Sequence, residues 1–364
     1  MKFLSTLSLG AVALALAPVF TQAEEPAAPK MAAMEATMSG GASLHPRYKM
    51  ETTLGDIVLE LDAEKAPVSA LNFDTYATES FYTGTVFHRV MPGFMIQGGG
   101  FTEALDEKKG NHPPIENEWW DGLKNDRGTI SMARTNAPDS ATSQFFINVV
   151  DNKMLDMPNN GAAYAVFGKV VEGMDTVDKI KDAKVTENSK IPSREGPTIP
   201  ETAVVIKSVK AITPLDTAGA KKAIEDRKAM LTAPIEKVIE HMEKEYGGKA
   251  EAMKSGLASI VLKKGTGDKH PTAADTVCAN YLGKLANGKP FDSSAWHGGV
   301  PLAFPLSGVI AGWTEGIPLM VEGEKRLLII PSDIAYGPGG RPGTIPPNSI
   351  LVFEVELVKI GECN

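Results

Sequence analysis

Phe87-His88-Arg89-Val90-Met91-Pro92-Gly93-Phe94-Met95-Ile96-Gln97-Gly98-Gly99-Gly100 sets a cation, an amide and large apolar side chains close together in one glycine-ended run. Arg89 is permanently charged and holds its donors in a rigid fork. Phe94 and Met95 put apolar surface beside it. Further on, Ser143-Gln144-Phe145-Phe146-Ile147 reads as a strand. Alternation puts Phe145 on the opposite face from Gln144 and Phe146, which assigns Phe145 to a core and Phe146 to the polar side. Upstream, Tyr48–Thr53 and Gly55–Leu61 alternate around Leu54-Gly55-Asp56 and predict a β-hairpin. Pro67–Glu79 predicts a helix with Pro67 in its first turn and Val68, Leu71 and Tyr76 inward. Short strands and Gly/Pro/Asn loops continue to Ala211, which suits a closed antiparallel β-barrel with capping helices.

These words are similar, position by position, to the active-site motifs of the cyclophilins, over about Tyr48 to Ala211. The resemblance implies peptidyl-prolyl cis-trans isomerisation. Rotation about an Xaa–Pro bond breaks amide resonance against a barrier of about 18–20 kcal/mol, so uncatalysed exchange is slow enough to limit folding. A catalyst needs an apolar pocket for the proline ring, hydrogen bonds to the flanking peptide, and a donor for the prolyl nitrogen, which regains its lone pair in the twisted transition state. The resemblance makes Arg89 that donor, with Gln97 holding it or the substrate backbone. Phe94, Met95, Phe146 and Leu155 form the pocket, and Ala133, Arg134 and Gln144 line the groove. The groove Trp and His of the animal proteins stand here as Met154 and Tyr164, which implies weakened cyclosporin binding with activity kept. Without the resemblance, Arg89 would read as a buried structural pair.

The second half carries Tyr281, Phe291-Asp292-Ser293-Ser294, Val309-Ile310-Ala311-Gly312-Trp313, Ala335-Tyr336-Gly337, Ile345-Pro346-Pro347 and Phe353. From about Gly256 to Ile360 it resembles the FKBP family, isomerases of the same bond on a different fold: an antiparallel half-barrel with one helix. The resemblance implies a proline pocket of Tyr281, Phe291, Trp313, Tyr336 and Phe353. Val309, Ile310 and Ile345 are its apolar walls, the Ile310 N–H holds a substrate carbonyl, and Asp292 and Tyr336 are its polar groups. Aromatic rings give large areas and specific geometry against a proline ring, and desolvation of the prolyl amide carries the rate effect. One pocket aromatic of the animal proteins aligns with Leu302, the Arg partner of the pocket Asp with His297 or a neighbour, and the flap His with Arg341. Macrolide immunosuppressants, like cyclosporin-type ones, are therefore expected at reduced affinity. Gly337–Gly343 reads as the flap and not as a phosphate loop, since prolines occupy it and no helix opens after it.

The expected chain is mainly β with α and multi-domain: signal peptide 1–23, flexible tail 24–47, cyclophilin-like domain 48–212, helical linker 213–255 and FKBP-like domain 256–362. Lys2, the apolar run Phe3–Phe20 and the small residues of Thr21-Gln22-Ala23 form the signal peptide, which predicts export to the periplasm or secretion and no membrane attachment after cleavage. Cleavage removes one lysine from a chain of formal charge −8, so a nucleic-acid partner is not expected. The linker predicts helices over Asp216–Leu231 and Thr232–Tyr246, the second capped by Thr232, ended by Gly247-Gly248, and striped by Ile235, Val238, Ile239 and Met242. It reads as a spacer packing lightly on one domain in preference to a dimerisation stalk. Cys278 and Cys363, the two cysteines, leave two readings open: a disulfide in oxidising surroundings, or a buried Cys278 and a free Cys363. His45, His112, His241 and His270 lack ligand spacing, so no metal is expected, and the conformational chemistry calls for no cofactor. The function expected is isomerisation at two pockets on proline-containing clients during folding of exported proteins. Its rival is a proline-binding holdase chaperone in which one domain is catalytically weak.

Overall fold

The structure is a computed structural model that describes residues 41–159 and 161–363. The expected signal peptide and most of the expected tail lie outside the described residues. The tail ends earlier than expected: Ser43 bridges Leu215, the Ala63 N–H donates to the Leu44 carbonyl and the Leu61 N–H to that of Pro46. These backbone partners order residues that lack an apolar period of their own.

Twelve strands build the first part: β1 (Arg47–Thr52), β2 (Gly55–Leu61), β3 (Thr85–Val86), β4 (Arg89–Met91), β5 (Met95–Gly98), β6 (Phe101–Thr102), β7 (Thr129–Met132), β8 (Phe145–Asn148), β9 (Val166–Glu172), β10 (Val185–Thr186), β11 (Ile199–Pro200) and β12 (Val205–Thr213). All but β10 and β11 join one antiparallel sheet in the order β4-β5-β8-β7-β9-β2-β1-β12-β3-β6. Its inner residues, among them Met50, Ile57, Leu59, Val90, Ile96, Ile130, Phe145 and Ile206, share one core. Helix α1 (Pro67–Thr78) closes that core with Ala70, Phe73, Tyr76 and Ala77. The stripe is therefore turned from the one expected, and Val68 is half-buried. The small residues Ala66, Ser69 and Ala70 let the helix come close enough for Phe73 to sit 5.1–5.9 Å from the rings of Tyr48, Tyr82, Phe145 and Phe167. Each such buried ring is worth about 1.5–3 kcal/mol of transfer free energy. A second helix, α2 (Met174–Lys181), adds Val177 and Ile180.

The second part has β13 (Glu251–Ala252), β14 (Ala258–Lys263), β15 (Thr276–Leu285), β16 (Pro290–Ser293), β17 (Leu302–Pro305), β18 (Lys325–Ile330) and β19 (Leu351–Ile360). The sheet runs β13-β14-β18-β19-β15-β16, with β17 also on β15. Leu328 and Ile330 face one core with Trp313 and Phe353. Leu327 and Ile329 face another with Ala258, Ile260 and Val352. A sheet covered on both faces needs the continuous apolar run of β18 and not alternation. Cys278 and Cys363 are disulfide-bonded with Cα atoms 5.1 Å apart. Ile360 pairs with Val277 in register, and Gly361, at φ 119°, turns the chain back toward Cys278.

Two helices lie between the sheets, α3 (Thr217–Met230) and α4 (Ile235–Tyr246). Asp216 caps α3 by accepting from the Gly219 N–H, and Ala220 enters the first core. The α4 stripe of Val238 and Met242 covers the outer face of the second sheet. The segment thus packs on both cores, not lightly on one. Its apolar residues have partners on either side, Met230 and Leu231 at the end of α3 included. Thr232 does not cap α4; its hydroxyl donates to the Ala229 carbonyl, and Pro234 occupies the cap position. Gly247, at φ 70°, ends the helix as expected. The two parts also touch directly: Trp119 and Trp296 lie 5.8 Å apart, and Lys289 pairs with Glu116 at 3.2 Å and sits over the Trp120 ring. Among the described residues, no helix is long and apolar enough to cross a membrane.

Candidate active sites

In the first part, register does most of the positioning. Arg89 on β4 lies opposite Gln97 on β5, and Gln97 lies opposite Phe146 on β8. Directly opposed residues share a sheet face, so the three form one row. Gln97 Nε2 donates to Gln144 Oε1 at 2.9 Å, and Arg89 donates to Gln97 Oε1 at 3.5 Å. The guanidinium carbon is 5.9 Å from the Phe94 ring centre. Gly100 keeps Gln144 in place, because a Cβ there would fall 2.4 Å from the Gln144 Cγ. Asn152 fixes the turn that carries Phe94 by donating to its carbonyl at 2.8 Å.

Met95 and Phe146 are buried yet stand outside the main core cluster, as a groove floor would. Phe145 lies inside that core, as alternation requires. The far wall is Tyr164, 5.7 Å from Phe146 and stacked under Arg134 at 4.5 Å. Arg134 is itself held by the carbonyls of Asn159, Ala162 and Ala163. Ala133 donates its N–H to the Gln144 carbonyl, and Leu155 accepts from Tyr164. Met154 is 73 % exposed, which makes it a rim residue and not a packed wall. His88 points away from this row into the interior, against Phe101 at 4.5 Å. Burial above all pushes its imidazole down to about 4, so it stays neutral and takes no part in the charge of the groove.

In the second part, Trp313 on α5 (Ala311–Gly316) is the centre. Tyr281, Phe304 and Phe353 stand edge-on to it at 5.3, 5.4 and 5.2 Å, and Phe291 leans on Phe353 at 5.4 Å. Gly283 lies opposite both Asp292 and Phe353. A Cβ there would come within 2.6 Å of Phe353 and 2.8 Å of Phe291, so the rings cross the strand because glycine is in it. Val309, Ile310 and Ile345 pack against the same cluster. Among the described residues, the Ile310 N–H gives no hydrogen bond. Asp292 accepts from the Ser293 N–H and pairs with His297 Nε2, both at 2.9 Å. Burial first, and then the Asp292 carboxylate, holds the Tyr281 hydroxyl well above the ordinary tyrosine range. Tyr336 stands at the rim, 37 % exposed.

Two stretches of the chain match two family models. A cyclophilin type peptidyl-prolyl cis-trans isomerase model matches residues 47–210. A peptidyl-prolyl cis-trans isomerase of Acinetobacter baylyi is 56% identical over 143 residues, covering 39% of this chain and 76% of the relative. Peptidyl-prolyl cis-trans isomerase A of Dickeya dadantii is 53% identical over 165 residues, 45% of this chain and 83% of the relative.

The chain belongs to the cyclophilin-type peptidyl-prolyl cis-trans isomerases.

An FKBP-type peptidyl-prolyl cis-trans isomerase model matches residues 267–358, so this cyclophilin continues into a second isomerase domain. FkpA of Escherichia coli is 48% identical over 121 residues, which are 33% of this chain and 43% of that protein. The enzyme class is therefore isomerase. Sequence reasoning missed two residues of this cyclophilin–FKBP chain. Phe304 supplies the aromatic that Leu302 does not: it follows by two in β17 and faces the same way, and alternation could have found it. The Glu195 carboxylate accepts a 2.6 Å hydrogen bond from Arg89; it lies 106 residues downstream, and no local pattern marks it.

Proposed function

We propose that both pockets turn over Xaa–Pro bonds in client polypeptides exported to the periplasm, assisting their folding. The Arg89–Gln97–Phe146 row is the observation that carries this reading, since it sets a cationic donor beside an apolar floor. The proline ring sits on Phe94, Met95 and Phe146. Gln144, Ala133 and Arg134 hold the flanking backbone. Arg89 donates to the prolyl nitrogen as the amide twists, a contact stronger in the transition state than in either planar isomer. In the second pocket the ring stacks on Trp313 between Tyr281, Phe291 and Phe353, under Val309 and Ile345. The Ile310 N–H takes a carbonyl, Asp292 and Tyr336 face the twisted amide, and the apolar surround strips water from it. Cyclosporin-type ligands bind weakly because Met154 stands out as a rim, and macrolides bind weakly because His297 occupies the pocket carboxylate.

Four full-length chains test this: the parent, Arg89→Ala, Phe291→Ala with Asp292→Ala, and all three changes together. Isomerisation of an Ala-Xaa-Pro peptide is followed in each. With the second pocket disabled, Arg89→Ala is expected to lower kcat/KM by about 10²–10³, the scale for losing one transition-state donor. A fall of less than threefold sinks the assignment of Arg89. Activity that survives Arg89→Ala and vanishes in the triple variant belongs to the second pocket; a triple variant no slower than Arg89→Ala shows the second pocket to be a client-holding module.

A further inference from the structure

Arg89 has four side-chain torsions to fix and five N–H donors to place. Gln97 restrains it weakly, at 3.5 Å, and Gln97 is itself committed on its other side to Gln144. The firm restraint comes from elsewhere. Glu195 Oε2 accepts from Arg89 NH2 at 2.6 Å, a charge-assisted bond. Among the described residues, these two are the side chains that hydrogen-bond the guanidinium.

Glu195 does not arrive on a free loop. The segment that bears it starts and ends in the β10–β11 pair, Thr186 opposite Ile199. Thr198, buried, accepts from the Val90 N–H at 2.7 Å, next to Arg89 itself. Gly196, at φ 88°, makes the bend between Thr198 and Glu195, and Ser193 accepts from the Glu195 N–H at 3.1 Å. The carboxylate is thus delivered to Arg89 by a segment stitched to Arg89's own strand.

We propose that Glu195 is a positioning residue for the first pocket: it holds the Arg89 guanidinium in the orientation from which the remaining N–H groups reach the prolyl nitrogen. This rests on the assignment of Arg89 above. The prolyl nitrogen is a neutral acceptor in the transition state, so geometry outweighs the charge that the ion pair neutralises. A donor already in place spares its own reorganisation as the amide twists. Both partners are partly exposed, Arg89 at 25% and Glu195 at 48%, so the pair adds little to fold stability, and its effect falls on turnover.

The experiment uses the full-length chain with the second pocket disabled, and Glu195→Ala, Glu195→Gln and Arg89→Ala alone and combined. Expected are a kcat lowered about 3–10-fold by Glu195→Ala with KM unchanged, a smaller loss in Glu195→Gln, which keeps an acceptor, and an unaltered melting temperature. Added salt slows the parent toward the Glu195→Ala rate, because it screens a half-exposed pair. In the Arg89→Ala chain, Glu195→Ala changes nothing further. An unchanged or faster Glu195→Ala chain overturns the proposal, as does an equal loss in the Arg89→Ala background. If Arg89→Ala itself costs nothing, the assignment of Arg89 has failed and this proposal falls with it, a pattern distinct from the other two.

Discussion

His88 and Gly283 each sit where a neighbour needs them, and each makes a separate claim. His88 is 3% exposed, and burial depresses its imidazole to about 4 from the ordinary 6.5. Between those two values the unfolded chain binds a proton that the folded chain refuses. Stability is therefore full above pH 6.5 and is lost as pH falls toward 4, by about 3 kcal/mol at pH 4. In urea unfolding, His88→Asn is expected to flatten this part of the pH profile; a profile as steep as the parent's would show another group to be responsible. Gly283→Ala pushes a methyl group into Phe353 and Phe291. The expected cost is about 1–3 kcal/mol of overpacking, with loss of the second-pocket rate read in the Arg89→Ala chain. Retention of that rate would mean the rings can move aside without spoiling the pocket. Neither glycine nor histidine announces such a role by type; only the register across the sheet, or the ring packed on its far side, supplies it.

Among elements, the legible ones were those whose period survives in the sequence. The β1–β2 hairpin alternates and is found; the α1 helix is found, but Phe73 and Ala70 replace Val68 on its inner side because small neighbours set how close the helix lies. The motif strands β4, β5 and β8 could be assigned to one groove because their residues match a family word for word, while the pairing of Arg89 with Gln97 is a matter of register that spacing alone does not yield. The β18 run Lys325–Ile330 does not alternate, since both its faces are covered, one by Trp313 and its neighbours and the other by α4. For the same reason α4 looked like a spacer: a stripe of Ile235, Val238, Ile239 and Met242 says that something is covered and not what. The Glu195 segment is the least legible. Its function depends on a backbone bond from Val90 to Thr198 across more than a hundred residues, and contacts of that range leave no periodic trace.

Across the whole molecule, Arg227 ties the C-terminal end of α3 to the first barrel, as Ala220 does nearer its start. It donates to Glu118 Oε1 at 3.0 Å and to the carbonyls of Glu64 and Lys65. Glu118 is 2% exposed, and Ser69 also donates to it through its N–H and hydroxyl. Burial raises the Glu118 carboxyl to about 6 against the pull of Ser69 and Arg227. Arg227→Ala leaves that carboxyl without its cation, at an expected cost of about 3 kcal/mol. With the carboxyl raised further, the folded variant keeps a proton that the unfolded chain releases, so its deficit widens as pH rises from 5 to 8. Thermal unfolding at both pH values checks this, and a deficit that shrinks instead would show that the pair is not what holds α3. A last consequence belongs to α4. Beneath it lie Ala258, Ile260, Leu327, Ile329 and Val352, an apolar patch that α4 covers with Val238 and Met242, joined at its edge by Met230 from the end of α3. Trimmed of this helix, the second isomerase would keep every ring of its pocket and yet turn a greasy back to water, so its failure would show first as clumping in the tube and only later, if at all, as lost turnover.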